Sequence, residues 1–415
     1  MKKKVLFGVT ALLLVALVVP LVTACPSTPA APAKDKIVVG MSRSLSGPIA
    51  IIGDSAFRVI YETWVPEVNA AGGVYLSEYG KKLPIEEIIY DDKSDVGTMT
   101  RLTEKLILED KVDFLWPACG TSFIFGQAPI ANKYGYVLIT AEGGATTLKD
   151  SLYSLPYSFI VLSFSDWYEL PVLADMWSKA GVKSAYVTYI ADLHGIEYSG
   201  VAGKEFAGVG IKILGNVSLP PDLKDFAPVV MDAMASGADA FCCFGYPDQV
   251  LPMTGTMIAL GYNPKAVVMG PGANFGFYHT AFGPAVEGVT GFTTYARGET
   301  PALDALADKL YNGKPEELQD WWGHSLYWAA LDVWKAAVEK VGKVDQKALR
   351  DTLATTTLDT VLGPTYFTMF GDGGGILAYQ CHAGEIGQWQ NGVYEVVGGN
   401  KPTATYEFPK PAWPK

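Results

Sequence analysis

IEEIIYDDKSDVGTMTRLTEKLILEDKVDFL, residues 85–115 of this 415-residue chain, decides the fold class. The β-branched run 85–90 reads as a strand, and Asp95 as the cap of a helix carrying Met99, Leu102 and Leu106 on one face. Residues 112–115 then read as a second strand. A strand, a helix and another strand in this order form a βαβ unit, whose strands are parallel. The alternation extends both ways from it: strand-like runs recur at 37–39, 136–140, 185–190, 211–217, 240–244 and 266–269. Phe57, Tyr61, Val65 and Val68 share a helical face before the unit, which Gly72-Gly73 closes. After Thr290 the pattern changes to a strand-like run at 291–295 and helical segments at 301–311, 322–340 and 346–354. Strand-like pieces follow near 366–369 and 388–397. The aromatics Trp322, Tyr327, Trp328 and Trp334 read mainly as helical core.

The first forty residues say where this α/β chain works. Lys2, Lys3 and Lys4 precede an apolar run, 5–21, and then Val22-Thr23-Ala24-Cys25. This is the pattern of an exported protein. Ala24 and the Cys25 thiol match a bacterial lipobox, in which the sulfur receives the lipid before cleavage in front of it. An uncleaved membrane anchor is the alternative, since the run approaches the roughly 20 residues that span a bilayer. Residues 26–36 form a Pro/Ala-rich tether.

Net charge is −11 with the three leader lysines and −14 without them, which argues against nucleic acid as a partner. The roughly 390 residues after Cys25 suit two lobes better than one core. Cys119, Cys242, Cys243 and Cys381 lack the regular spacing of a disulfide framework, and Cys242-Cys243 reads as two small buried hydrophobes. No G-x-S-x-G, H-E-x-x-H, C-x-x-C, P-loop or G-x-G-x-x-G occurs, and His194, His279, His324 and His382 show no metal-ligand spacing. Neither an enzyme nor a metal or organic cofactor is expected. The glycine-rich 371–375 lies between strand-like pieces and reads as a turn.

Ligands of open α/β sheets bind at the carboxyl ends of the strands. Here those loops are 41–47, 117–122 and 141–147 in the first half, and 191–195, 245–248 and 270–274 in the second. Hydroxyls and glycines dominate the first set, aromatics and amides the second.

The pieces SLSGPIAIIGD (44–54), VNAAGGV (68–74), IIYDDKSD (88–95), Thr121-Ser122 and LGPTYF (362–367) stand in a specific order. Together they resemble the branched-chain amino-acid and amide binding proteins of ABC importers, with the match running from about 37 to 397. The resemblance implies the type I periplasmic binding fold: two Rossmann-like parallel-sheet lobes joined by three crossovers, near 161, 292 and 380. The N-terminal lobe would be 37–161 plus 292–380 and the C-terminal lobe 162–291 plus 381–400, with 401–415 a tail. It also implies a monomer that closes on a small solute, an amino acid, amide or organic acid, and delivers it to ABC permease subunits. A sensory receptor on the same fold is the alternative.

By the same resemblance the first lobe grips the solute with Thr121, its neighbour Ser122, and Glu142, Gly143, Gly144 and Thr146, while Ile52 stands where some relatives have tryptophan. In the second lobe His194 and Tyr246 fall where relatives carry tyrosines, and Asn274 lies in the loop MGPGAN (269–274). Gly272 departs from the pattern, because amino-acid-binding relatives have there a glutamate that pairs the ammonium. Asp192, Asp248 or Glu142 would have to supply that charge, and N-capping is the plainer role for such residues. Phe123, Phe125, Phe164, Trp167, Tyr189, Phe275 and Tyr278 lie in or near the cleft segments and admit an aromatic or otherwise apolar solute.

Overall fold

A computed structural model describes residues 34–143, 146–162, 168–382 and 384–414. Its first sheet centres on strand Ile37–Arg43, paired in parallel with Ile85–Asp91 on one side and Phe114–Leu115 on the other. The 85–115 unit forms as read. The Asp95 carboxylate accepts from Thr98 N at 2.6 Å, satisfying an orphan donor at the start of helix Val96–Leu108. That helix buries Met99 and Leu106 and leaves Leu102 half-buried.

A second small sheet holds Leu138–Thr140, Ser158–Ile160 and Gly375–Leu377 in parallel, with Phe367–Met369 antiparallel at its edge. Residues 371–374 are the turn between its last two strands. Helix Gly323–Val341 is buried along most of its length and packs by aromatic edges. The Trp334 ring meets Trp116 and Phe114 at 5.3 Å, while Tyr327 meets Phe57 at 5.5 Å.

The third sheet runs Lys212–Leu219, Ser184–Ile190, Ala240–Phe244, Ala266–Gly270, Thr290–Thr293, all parallel, then Glu385–Gln390 and Val393–Gly398 antiparallel. Every residue of Ala240–Phe244 is buried, as expected of a strand covered by helices on both faces. Cys242 and Cys243 are free thiols within it. The chain passes between the first two sheets and the third three times: after Ile160, after Thr293 and after Leu377. Residues 401–414 run along the third sheet, where the Gln388 and Gln390 amides donate to Glu407 O and Thr405 O, and Trp413 Nε1 to Tyr262 O.

The strands missed in the sequence are short. Ser158–Ile160, Gly375–Leu377 and the hairpins Val74–Leu76/Lys81–Leu83 and Leu358–Thr360/Gly363–Thr365 have three residues each, too few to show a period of two. No helix among the described residues is long and apolar enough to cross a membrane.

Candidate functional site

In the first sheet the central strand is the earliest in sequence, with the second strand on one side and the third on the other, and the third sheet repeats this arrangement around Ser184–Ile190. At such a switch point the following loops diverge and leave a crevice. The loops from both switch points meet around one cavity, in part open to solvent. From the first side Ile52, Thr121, Glu142 and Gly143 line it; from the second, His194 and Tyr246. These are six of the residues singled out in the sequence.

Thr121 starts helix Thr121–Tyr134, and the preceding Gly120 has φ 94° and ψ 155°, a backbone conformation a side chain would resist. The bend turns the helix N-terminus into the cleft. Ser122 is half-buried beside it and lies outside the cavity lining. Helices Leu193–Gly208 and Pro247–Leu260 also begin at the cleft, so the positive ends of three helix dipoles converge there, that of Leu193–Gly208 capped by Asp192.

Glu142 sits at the floor. Its Oε1 accepts from Arg43 Nη1 at 2.5 Å, and both side chains are buried. Arg43 is held in turn by the Pro117 carbonyl at 3.0 Å and by the faces of Phe57 and Tyr61, with ring centroids 5.7 and 5.6 Å away. Burial pushes the Glu142 carboxyl up and the Arg43 guanidinium, by charge and hydrogen bond, pulls it back. At this separation the pair is ionic and carries no net charge.

Across the cleft the His194 ring stacks on Tyr246, centroids 4.9 Å apart. Burial holds His194 below the ordinary imidazole range, against the pull of Asp192 and of the Gly270 backbone, so it is neutral. Tyr246 caps its helix by backbone, its N–H donating to Gln249 Oε1 at 3.1 Å. Its hydroxyl lies 3.9 Å from where a Cβ on Gly120 would stand, so the ring reaches the opposite wall.

The remaining candidates lie outside this lining. Asp192 caps helix Leu193–Gly208, accepting from Gly195 N at 2.9 Å, and Asp248 is half-buried in the first turn of Pro247–Leu260. Gly272 and Asn274 are buried behind Pro271, which does line the cavity. Asn274 Oδ1 accepts from Gly272 N at 2.9 Å, and its Nδ2 donates to Asp320 Oδ1 at 2.8 Å. Asp320 accepts from Trp322 N at 2.8 Å, so Asn274 acts at one remove, by fixing the segment that sets Trp322 against the cavity. Thr146 begins helix Thr146–Ser151, while Gly144 and Cys25 fall outside the described residues.

Sequence reading missed Phe57, Leu162, Pro271 and Trp322 on the lining and Arg43 beneath it. Arg43 at the carboxyl end of the first strand was the available signal, since a lone arginine in that apolar stretch needs a buried partner. Of the aromatics named for the cleft, Phe275 and Tyr278 are fully buried, Phe125 is exposed, and Phe164 and Trp167 fall outside the described residues. Among the described residues no cluster of His, Cys, Asp and Glu could hold a metal ion.

The sequence of the periplasmic binding protein family matches residues 36–382. A leucine-, isoleucine-, valine-, threonine- and alanine-binding protein of Pseudomonas aeruginosa is 24% identical over 345 residues, 82% of this chain and 88% of that protein. An ABC transporter solute binding protein from R. palustris in complex with 4-hydroxybenzoate superposes with a TM-score of 0.73 at 19% identity, over 91% of this chain and 99% of that one. A branched-chain amino acid transporter substrate binding protein from Streptococcus pneumoniae, in complex with isoleucine, gives 0.71 at 20% identity over 88% and 100%. The chain belongs to the periplasmic binding protein family and has its type I, leucine-binding-protein-like fold.

Proposed function

We propose that this protein is an extracytoplasmic, lipid-anchored receptor that closes on an apolar carboxylate and delivers it to an ABC importer. The observation that carries the solute class is the charge of the cleft. Three helix N-termini face it, and the carboxylate on its floor is neutralised by Arg43. An anion gains from that field. An ammonium finds only Asp192, which stands outside the lining beside His194 and Tyr246 and is engaged in capping its helix.

In this reading 37–161 plus 292–380 and 162–291 plus 381–400 are the lobes, and the three passages between sheets are the hinge. Thr121 donates to the carboxylate, while Ile52, Phe57, Tyr246 and Trp322 enclose the apolar body. The P. aeruginosa relative is named for leucine, isoleucine, valine, threonine and alanine, and the R. palustris structure holds 4-hydroxybenzoate, so aliphatic and aromatic scaffolds are both candidates. A thermal-shift screen of residues 26–415 against amino acids, amides, aliphatic acids and aromatic acids tests it. The expected result is stabilisation by acids lacking an ammonium. Stabilisation by leucine alone would refute the charge argument, and silence from every class would refute the cleft. Incorporation of labelled fatty acid in cells, lost in Cys25→Ala, tests the anchor.

A further inference from the structure

Three buried polar atoms of residues that line the cavity have no hydrogen-bond partner in the protein: the donor Trp322 Nε1 and, on opposite walls, Glu142 Oε2 and His194 Nε2. Glu142 and His194 are only 3% and 6% exposed. Buried polar atoms are nearly always satisfied, so atoms left open at a binding cavity point to what the solute brings.

The Glu142 and His194 atoms accept. Glu142 is ionised by the Arg43 guanidinium, so its free oxygen offers only lone pairs. The Gly270 carbonyl stands beside the other nitrogen of the His194 ring, and a nitrogen facing a carbonyl carries the proton. Nε2 is then the lone-pair side. The Tyr327 hydroxyl and Cys119 thiol lie near Glu142 without hydrogen-bond geometry to Oε2, and Tyr327 is not part of the cavity wall.

We infer that the solute presents neutral hydrogen-bond donors, hydroxyl or amide N–H, to the acceptors Glu142 Oε2 and His194 Nε2, and that His194 is the residue that selects for the donor on its side. This rests on the reading of the cleft as the solute site. A solute held at both walls joins them, which ties recognition to closure. An ammonium would also donate, but would bring a charge into a site where Arg43 has already cancelled the carboxylate.

The test is isothermal titration with two matched series: 4-methylpentanoate, 2-hydroxy-4-methylpentanoate and leucine; and benzoate, 3- and 4-hydroxybenzoate and 4-methoxybenzoate. In at least one series a hydroxylated acid is expected to bind about tenfold or more tightly than the parent acid and than leucine or the methoxy ether. In His194→Phe that preference collapses toward one, and His194→Gln, which keeps an acceptor, restores part of it. Binding without hydroxyl preference in both series, or a preference that survives His194→Phe, overturns the inference and leaves the solute site standing. Leucine binding tightest overturns it as well. No binding in either series overturns the proposed solute class and the inference together. If His194→Phe does not fold, the wild-type preferences and His194→Gln still decide.

Discussion

Val250 fills the space that a side chain at residue 272 would need: an ideal Cβ on Gly272 would lie 2.6 Å from Val250 Cγ1. Val250 is fully buried on helix Pro247–Leu260, and Gly272 follows strand Ala266–Gly270, so helix and strand close on each other at this point. The glutamate that the family resemblance leads one to expect at 272 is therefore not simply absent, since the packing has no room for it. Gly272→Ala is expected to cost about 1–3 kcal/mol by overpacking. Val250→Ala in the same chain should return part of that cost. A double-mutant cycle by urea unfolding measures the coupling, and strict additivity would show that the two positions do not compete for space.

The Arg43–Glu142 pair lies under the cavity with both side chains buried, so removing one partner strands a charge. Arg43→Met and Glu142→Gln are each expected to lower unfolding free energy by roughly 3–5 kcal/mol. Arg43→Met with Glu142→Leu should lose less than the sum of the single losses, because the charges leave together. Denaturant midpoints of the three variants decide between this and an ion pair that contributes little.

Thr121 and Tyr246 face the cavity from different sheets, and losing either weakens a closed complex for a different reason. Thr121→Val removes one donor, worth about 1 kcal/mol, hence a five- to tenfold loss of affinity. Tyr246→Ala removes an aromatic wall and the stack on His194, and its loss should be larger. Titration with whichever solute the screen identifies reads both. Unchanged affinity in the two variants would place the binding site elsewhere.

His382 lies in the third passage between sheets and its ring Nε2 donates to Thr294 O, in the second, at 2.8 Å. Burial pushes it from 6.5 down to about 4. Below about pH 6.5 the unfolded chain takes up a proton that the folded one refuses until about pH 4, so this group removes stability as pH falls across that window. The slope reaches at most roughly 1.4 kcal/mol per pH unit. A buried carboxyl such as Asp320, raised to about 7, acts in the opposite direction, so the comparison must be between variants. The stability of wild type minus that of His382→Gln should decline from pH 6.5 to pH 4. Parallel curves would mean that His382 does not titrate in this range.

Sequence by itself determined the α/β class, the parallel order of the strands and the loops that carry the cleft. Periodicity and caps are local: 85–115 shows its strand, its Asp95 cap and its apolar face within 31 residues, and Pro301–Tyr311 and Ala240–Phe244 match their readings to the residue. The order of motifs along the chain then led to Thr121, Glu142, His194 and Tyr246, which the fold gathers around one cavity. Only tertiary structure decided what those residues face. Arg43 and Glu142 are 99 positions apart, and nothing local to either states that one cancels the other. Phe57 and Trp322 read as helical core and reach the cavity because helices far apart in sequence meet there, while Asn274 reads as a ligand contact and is fully used in positioning Asp320. Charge pairing, cavity shape and the polar atoms left open are properties of atoms brought together through space. The periods that encode strands and helices carry no information about them.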